Sequence, residues 1–216
     1  MNIANKIDIE LRLHENEKFF PTNKKLKSEA PQYPVYYKID TYAYKGKLYH
    51  RVTYEIFYAE NGAIGLNSIS IRNDSLGYHP KDTERIIILH DLKTERPEFI
   101  FFSAHAQEGL WYPARDCEFN NRRLVVYASL NSHSNHPKAG TIWRVLGFAN
   151  DYASSKGPHL KLTPIYDDDI NYYAQNDEVI NTGYKRFLLP FYQKSIPNLK
   201  KQQREQEAKD NARVRF

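Results

Sequence analysis

The chain has 216 residues, of which 41% are hydrophobic and 14% aromatic, and 31 Lys and Arg stand against 26 Asp and Glu. This composition predicts a globular protein of one or two domains. The single cysteine, Cys117, excludes intramolecular disulfides and CxxC zinc sites. Because no run approaches about 18 apolar residues and the N-terminus lacks the apolar core of a signal peptide, we expect neither a transmembrane segment nor secretion. The predicted location is the cytoplasm or an intracellular assembly.

The excess positive charge is concentrated near the C-terminus, where residues 200–216 hold six Lys and Arg against three Asp and Glu. A nucleic-acid binder carries its basic surface on the folded body, so we predict no nucleic-acid partner. Residues 198–213 contain no Gly or Pro and are rich in Lys, Gln, Arg and Glu. They are typical of a solvated helix or an extended polar tail, and we expect a protein partner to contact them.

Alternating hydrophobicity predicts strands along most of the chain. In residues 6–13 aliphatic and charged residues alternate, which places Ile7, Ile9, Leu11 and Leu13 on one buried face. Residues 35–44 and 48–58 flank Lys45-Gly46 and predict a hairpin. Further short runs of strand type occupy residues 68–72, 85–89, 98–103, 122–130 and 141–148. The spacing predicts an all-β, antiparallel, jelly-roll-like β-sandwich over residues 1–195 and a charged tail over 196–216.

A cluster of metal-ligand residue types precedes the strand at residues 85–89. His79, Asp82 and Glu84 form an HxxDxE pattern, which we place in a loop and the strand entry. Residues two apart on an extended chain point to the same side, so both carboxylates should meet. Carboxylates with an imidazole suit Mg²⁺ or Ca²⁺, and Asp74 is the nearest additional carboxylate. The alternative is a polar turn in which Glu84 forms a salt bridge.

Two further histidines end apolar strands. His105 follows the run at residues 98–103, and His133 follows the run at 122–130. Strands that are adjacent in a sandwich deliver their ends to a common rim, so we expect exposed imidazoles near the HxxDxE cluster. Trp111 and Asp151 are the other predicted ligand-binding residues. The alternative for each histidine is a structural side chain that is buried and hydrogen-bonded to backbone.

Several segments together resemble the vacuolar protein sorting-associated "sixty-two" family over roughly residues 10–160. They are LHENE (13–17), HPKDTE (79–84), FSAH (102–105), LVVYASLNSH (124–133) and GFAND (147–151). The central pattern is more distantly similar to the necrosis-inducing cytolytic proteins of plant pathogens. That resemblance implies a β-sandwich with a divalent cation at His79, Asp82 and Glu84 that attaches to sugar head groups. This chain departs from the pattern at Thr83, where an aromatic residue is usual, and at Ala106, where glycine is usual.

The predicted function is a non-catalytic binding module whose cation site recognises a polar lipid head group or a glycan. One alternative is a structural component of a large assembly, such as a virion shell or a coat, with its tail held by a partner. Another is a metal-dependent hydrolase in which Glu84 or a histidine acts as general base on a bound water. The sequence contains no GxxxxGK[ST], HExxH or GxSxG motif. No complete catalytic set is visible, so we favour binding over catalysis.

Overall fold

The computed structural model describes residues 7–23, 32–44, 46–62, 65–66, 69–70, 78–104, 109–142 and 150–170. The chain divides into two units, Met1–Ala174 and Gln175–Phe216, and all described residues belong to the first. The predicted boundary at residue 195 and the C-terminal tail lie outside the described residues.

The described part of the chain is built almost entirely of strands, with a 3₁₀ helix at Ala114–Asp116. The strands are β1 (Ile9–Arg12), β2 (Pro34–Tyr44), β3 (Lys47–Gly62), β4 (Gly65–Leu66), β5 (Ile69–Ser70), β6 (Tyr78–Asp91), β7 (Pro97–Phe102), β8 (Leu110–Pro113), β9 (Phe119–Asn120), β10 (Arg123–Ala128), β11 (Asn135–His136), β12 (Gly140–Ile142), β13 (Asp151–Ala153), β14 (His159–Lys161) and β15 (Thr163–Tyr166). This confirms the all-β prediction.

Two sheets form the sandwich. One has six strands in the order β15-β2-β3-β6-β7-β8, and the other has five, with β11-β10-β1-β14 in order and β9 beside β10. Two small ribbons, β12-β13 and β4-β5, accompany them. Most neighbours are antiparallel, whereas β1 with β10 and β15 with β2 are parallel. The sandwich therefore combines parallel and antiparallel strand pairs. Its longest strands, β2, β3 and β6, are neighbours at the centre of the six-stranded sheet.

The core lies between the two sheets, where their inner faces meet. Ile9, Leu11 and Leu13 of the first strand and its extension are almost fully buried, and Ile7 packs against them. This confirms the face predicted from the alternation in residues 6–13. They contact aliphatic and aromatic side chains from the opposite sheet, including Val52, Tyr54, Ile56, Tyr58, Ile86, Ile88, Ile100 and Phe102. At roughly 25 cal/mol per Å² of apolar area, such burial is the main stabilising contribution of the sandwich.

The hairpin between β2 and β3 has the predicted position. Tyr44 pairs with Lys47, and Gly46 at the turn has φ +75°, a conformation that favours glycine. β6, however, begins at Tyr78 and is much longer than the predicted run at residues 85–89. The HxxDxE segment therefore lies on a strand rather than in a loop. It is extended because it pairs along its length with the long strand β3.

Candidate functional site

Asp82 and Glu84 lie on the interior face of β6. Asp82 pairs across the sheet with Tyr58, and Glu84 pairs with Ile56. Because Tyr58 and Ile56 belong to the core, both carboxylates point into the sandwich, where they are buried. Their spacing of two residues thus brings them to one side, as predicted. Two carboxylates at the end of an apolar core are unusual and require partners.

His79 does not share this environment. Its side chain is exposed, whereas those of Asp82 and Glu84 are buried. Lys81, between them, has φ +61°, and this left-handed residue interrupts the regular alternation of the strand. The sequence argument placed His79 in a loop, whereas it lies on β6, and its predicted role as a metal ligand stays a prediction.

A polar loop between β10 and β11 closes this end of the sandwich. Residues 129–135 read SLNSHSN and are all buried, although every residue but one is polar. Asn131 and His133 have φ of 65° and 54°, which folds the loop tightly. The Gly62 N–H donates to the Asn131 carbonyl at 2.8 Å, and a Cβ at Gly62 would lie 2.8 Å from that of Asn131. Glycine at position 62 therefore allows the loop to approach the end of β3.

His133 is the centre of this loop and is fully buried. Its ring stacks on Tyr58 with centroids 3.8 Å apart and planes 3° apart. Nδ1 lies 2.9 Å from Asp82 Oδ2, and Nε2 lies 3.8 Å from Glu17 Oε1, an ion-pair distance that is too long for a hydrogen bond. Burial alone would lower the pKa of His133, but the Asp82 hydrogen bond and the Glu17 carboxylate raise it above its usual value. The ring is thus held between two carboxylates.

Glu17 is a functional-site residue that the sequence analysis did not identify. One carboxylate oxygen accepts the backbone N–H groups of Lys18 and Phe19, and the other accepts that of Asn131 at 2.8 Å. Burial alone would raise the pKa of Glu17, but His133 and these N–H donors lower it. Its position in the LHENE segment was the only indication available in the sequence. No local pattern shows that residue 17 meets a loop more than 100 residues later.

Glu84 lies in a more strongly negative environment than Glu17. Its carboxylate accepts the Ser103 hydroxyl, and Ser103 Oγ accepts the Arg85 N–H at 2.6 Å. Burial raises the pKa of Glu84 well above its usual range, and repulsion from Asp82 and Asp151 adds to the increase. Asp151 is itself buried and accepts the Ser132 hydroxyl at 2.9 Å. Three buried carboxylates therefore influence one another at this end of the sandwich.

The other predicted site residues are placed as follows. His133 and Asp151 join the cluster, although His133 is buried rather than exposed on a rim. Trp111 pairs with Phe101 of β7, on the face of the sheet opposite to Phe102 and the core, so it does not approach Asp82 or Glu84. Asp74 and His105 lie outside the described residues. The ligand-binding roles of all these residues stay predictions.

The donor set determines whether this cluster fits a metal ion. Within the described ranges, no group of three or more His, Cys, Asp and Glu side chains is arranged to hold one. The buried Asn135 amide, however, has neither its Oδ1 nor its Nδ2 hydrogen-bonded to a described residue. Mg²⁺ and Ca²⁺ accept carboxylate and amide oxygens together with waters. Asp82 and Glu84 together with neutral oxygen ligands would therefore suit a hard cation, and the ligand role of the exposed His79 stays a prediction.

Comparison with known protein families decides the affiliation of the chain. The model of the family described as Vacuolar protein sorting-associated protein 62 matches residues 20–158. The chain belongs to this family. The match spans the polar loop, Asp82 and Glu84, whereas Glu17 precedes it. The resemblance noted from the sequence segments is thus confirmed. Among curated proteins, none matches the chain.

Solved structures of necrosis-inducing cytolytic proteins are similar to the chain. NLPPya in complex with glucosamine has 13% identity and a TM-score of 0.46, covering 81% of this chain and 77% of that one. NLPPya in complex with mannosamine has 10% identity and a TM-score of 0.43, covering 81% and 76%. Necrosis and Ethylene inducing Protein 2, from the causal agent of cocoa's Witches Broom disease, has 14% identity and a TM-score of 0.41, covering 77% and 73%. These are the proteins to which the sequence showed its more distant resemblance.

The described residues contain no helix with the length and apolar character needed to cross a membrane.

Proposed function

We propose that the chain is a non-catalytic binding module in which a divalent cation at Asp82 and Glu84 forms the attachment point for a polar lipid head group or a glycan. The observation that carries the proposal is the burial of Asp82, Glu84 and Asp151 in mutual repulsion at one end of the sandwich. Buried carboxylates that raise the pKa of a neighbour are stabilised either by protons or by a bound cation. Oxygen donors of this kind are those that Mg²⁺ and Ca²⁺ prefer.

The surface beside the cluster offers groups suited to such a ligand. His79 and Lys81 are exposed on the strand that carries the two carboxylates. Phe20, which is 37% exposed, belongs to the segment that runs along Tyr58 through the Pro21–Tyr58 bridge. Imidazole and ammonium groups donate hydrogen bonds to hydroxyl or phosphate oxygens, and an exposed aromatic ring can pack on the apolar side of a sugar. A protein-sorting role would follow from recognition of such a group on a membrane or a cargo.

Calorimetry with EDTA-treated protein tests the cation. We expect saturable binding of Ca²⁺ or Mg²⁺ that Asp82→Asn and Glu84→Gln each weaken by tenfold or more. Glu98→Gln is the matched control, since Glu98 is a carboxylate at the other end of the same sheet, paired with Lys47 and Tyr49. Absence of binding to the wild-type chain would remove the cation from the proposal.

Glycan-array and liposome binding with and without EDTA test the ligand. We expect retention of the chain on a glycan or head group only when the cation is present. An EDTA-sensitive turnover of lipid or glycan esters would contradict the non-catalytic assignment and favour a metal-dependent hydrolase.

A further inference from the structure

Asn135 is a buried amide whose hydrogen-bonding capacity is not used. Its side chain is 1% exposed, and neither Oδ1 nor Nδ2 has a hydrogen-bond partner among the described residues. Removing an amide from water without replacing its hydrogen bonds is unfavourable, and native proteins rarely leave both atoms in that state. An asparagine at this position therefore indicates that another group satisfies the amide.

Asn135 lies on the interior face of its strand. Asn135 pairs with Ala128 of β10, whose side chain belongs to the core, and paired residues project to the same face. Its backbone N–H donates to the Ser103 carbonyl at 2.8 Å. Ser103 in turn donates its hydroxyl to Glu84. Ser103 thus links the two residues: its carbonyl accepts the Asn135 backbone N–H, and its hydroxyl donates to Glu84, a proposed ligand of the cation.

The imidazole groups of the described site are already engaged or turned outward. His133 directs Nδ1 to Asp82 and Nε2 toward Glu17, and His79 is exposed. His136 is also buried, with Nε2 3.9 Å from Asp151 Oδ2. Each of these three imidazoles thus faces a carboxylate or the solvent, whereas carboxylate and amide oxygens remain for the ion. A neutral amide oxygen also adds a ligand without adding to the repulsion between Asp82 and Glu84.

We propose that Asn135 Oδ1 is a direct ligand of the cation and completes an all-oxygen site that selects Ca²⁺ or Mg²⁺ over Zn²⁺. This inference rests on the proposed function, because it concerns the same ion. Ca²⁺ in particular binds asparagine carbonyl oxygens together with carboxylates, whereas Zn²⁺ in structural and catalytic sites favours imidazole and thiolate ligands. The amide is then satisfied in the cation-bound protein, and the backbone of Asn135 is held by its hydrogen bond to Ser103.

The test uses the full chain with CaCl₂, MgCl₂ and ZnCl₂ as probes, in calorimetry and in thermal unfolding. For the wild type we expect tighter binding of Ca²⁺ or Mg²⁺ than of Zn²⁺, with a matching rise in melting temperature. Asn135→Leu, close in size but apolar, should weaken that binding tenfold or more while raising the melting temperature of the EDTA-treated protein. Asn135→Asp keeps the oxygen, so it should retain the binding but lower the melting temperature of the EDTA-treated protein by adding a fourth carboxylate.

Asn120→Leu is the matched control, since Asn120 is an exposed asparagine that donates to Glu10 outside the cluster. Its cation affinity should equal that of the wild type. If Asn135→Leu binds the cation with unchanged affinity, Asn135 is not a ligand, although the proposed function stands. If the wild type binds none of the three ions, both fail. Zn²⁺ binding more tightly than Ca²⁺ and Mg²⁺ overturns the all-oxygen selection.

Discussion

The two ends of the six-stranded sheet use the same kinds of residues in opposite ways. At the end near the β2-β3 hairpin, the carboxylates of Asp91 and Glu98 both contact the Lys47 ammonium, and Glu98 also accepts the Tyr49 hydroxyl. At the other end, Glu84 lies near the buried carboxylates of Asp82 and Asp151, and the His133 ring contacts Asp82. A lysine thus contacts both carboxylates at the first end, whereas at the second the Glu84 carboxyl lies beside other buried carboxylates.

The pKa shifts at the two ends have opposite signs. Lys47 and backbone N–H groups lower the pKa of Asp91, while burial and neighbouring carboxylates raise that of Glu84. A carboxylate with a lowered pKa stabilises the folded chain, and one with a raised pKa destabilises it once ionised. The hairpin end therefore holds a carboxylate that stabilises the fold when it is ionised, and the Glu84 end holds one that stabilises the fold when it is protonated.

The largest effect that distinguishes the two ends is expected from their buried histidines. His133→Phe keeps a ring against Tyr58 but leaves Asp82 and Glu17 buried without the ring nitrogens that face them. We expect a loss of about 3–5 kcal/mol in the free energy of unfolding, as found when one partner of a buried ion pair is removed. Urea denaturation at pH 6 in EDTA measures it.

His90→Phe is the matched control for this substitution. His90 is also buried, but it lies near the hairpin end, where burial lowers its pKa and Nδ1 contacts the Glu95 carbonyl. Replacing this neutral ring removes one hydrogen bond, so a loss of about 1 kcal/mol is expected. Equal losses for the two variants would show that the His133 ion pairs do not stabilise the fold.

The strands and the hairpin turn could be predicted from the sequence much better than the residues of the candidate site. The alternation in residues 6–13 and the hairpin at Gly46 follow from local rules, because strand period and turn geometry depend on adjacent residues. The burial of residues 129–135 does not follow, since a polar SLNSHSN segment is typical of an exposed loop. It is buried because Glu17, Tyr58 and Asp82 supply partners from distant parts of the chain.

The shared face of the two carboxylates was also predictable from a local rule. Asp82 and Glu84 share a face because they are two residues apart on a strand. Asn135 and Glu17 could not be found in this way, since each enters the site through a long-range contact with no periodic pattern. The face of the sheet on which Trp111 lies could not be predicted either, because aromatic character does not show it; the pairing with Phe101 does.

A second, smaller effect concerns the pH dependence at the Glu84 end. The raised pKa means that the folded chain binds the Glu84 proton more tightly than the unfolded chain. The associated stability is present below the unfolded pKa, near 4.5, and is lost as the pH rises through the folded pKa. Glu84→Gln cannot ionise, so it should remove this loss and leave the cation-free protein more stable than the wild type at pH 8.

Denaturation of both proteins in EDTA across pH 4–8 measures this effect. The difference in stability should grow as the pH rises and should shrink again when the bound cation neutralises the wild-type carboxylate. A pH-independent difference between the two proteins would show that Glu84 does not titrate differently on folding.

The smallest expected effect, and the one of opposite sign, lies at the hairpin end. Asp91 has a lowered pKa because it accepts hydrogen bonds from Lys47 and from the backbone N–H groups of Thr94 and Lys93. Its stabilising contribution is therefore present above the unfolded pKa, near 3.8, and is lost as the pH falls through the folded pKa. Asp91→Asn should destabilise the chain slightly at pH 7 and no longer at strongly acidic pH, whereas Glu84→Gln should change the stability most at high pH.

Parallel pH titrations of the two variants by circular dichroism compare the two ends of the sheet directly. Slopes of the same sign would mean that the two carboxylates experience similar environments, and the distinction between a paired end and a binding end would not hold.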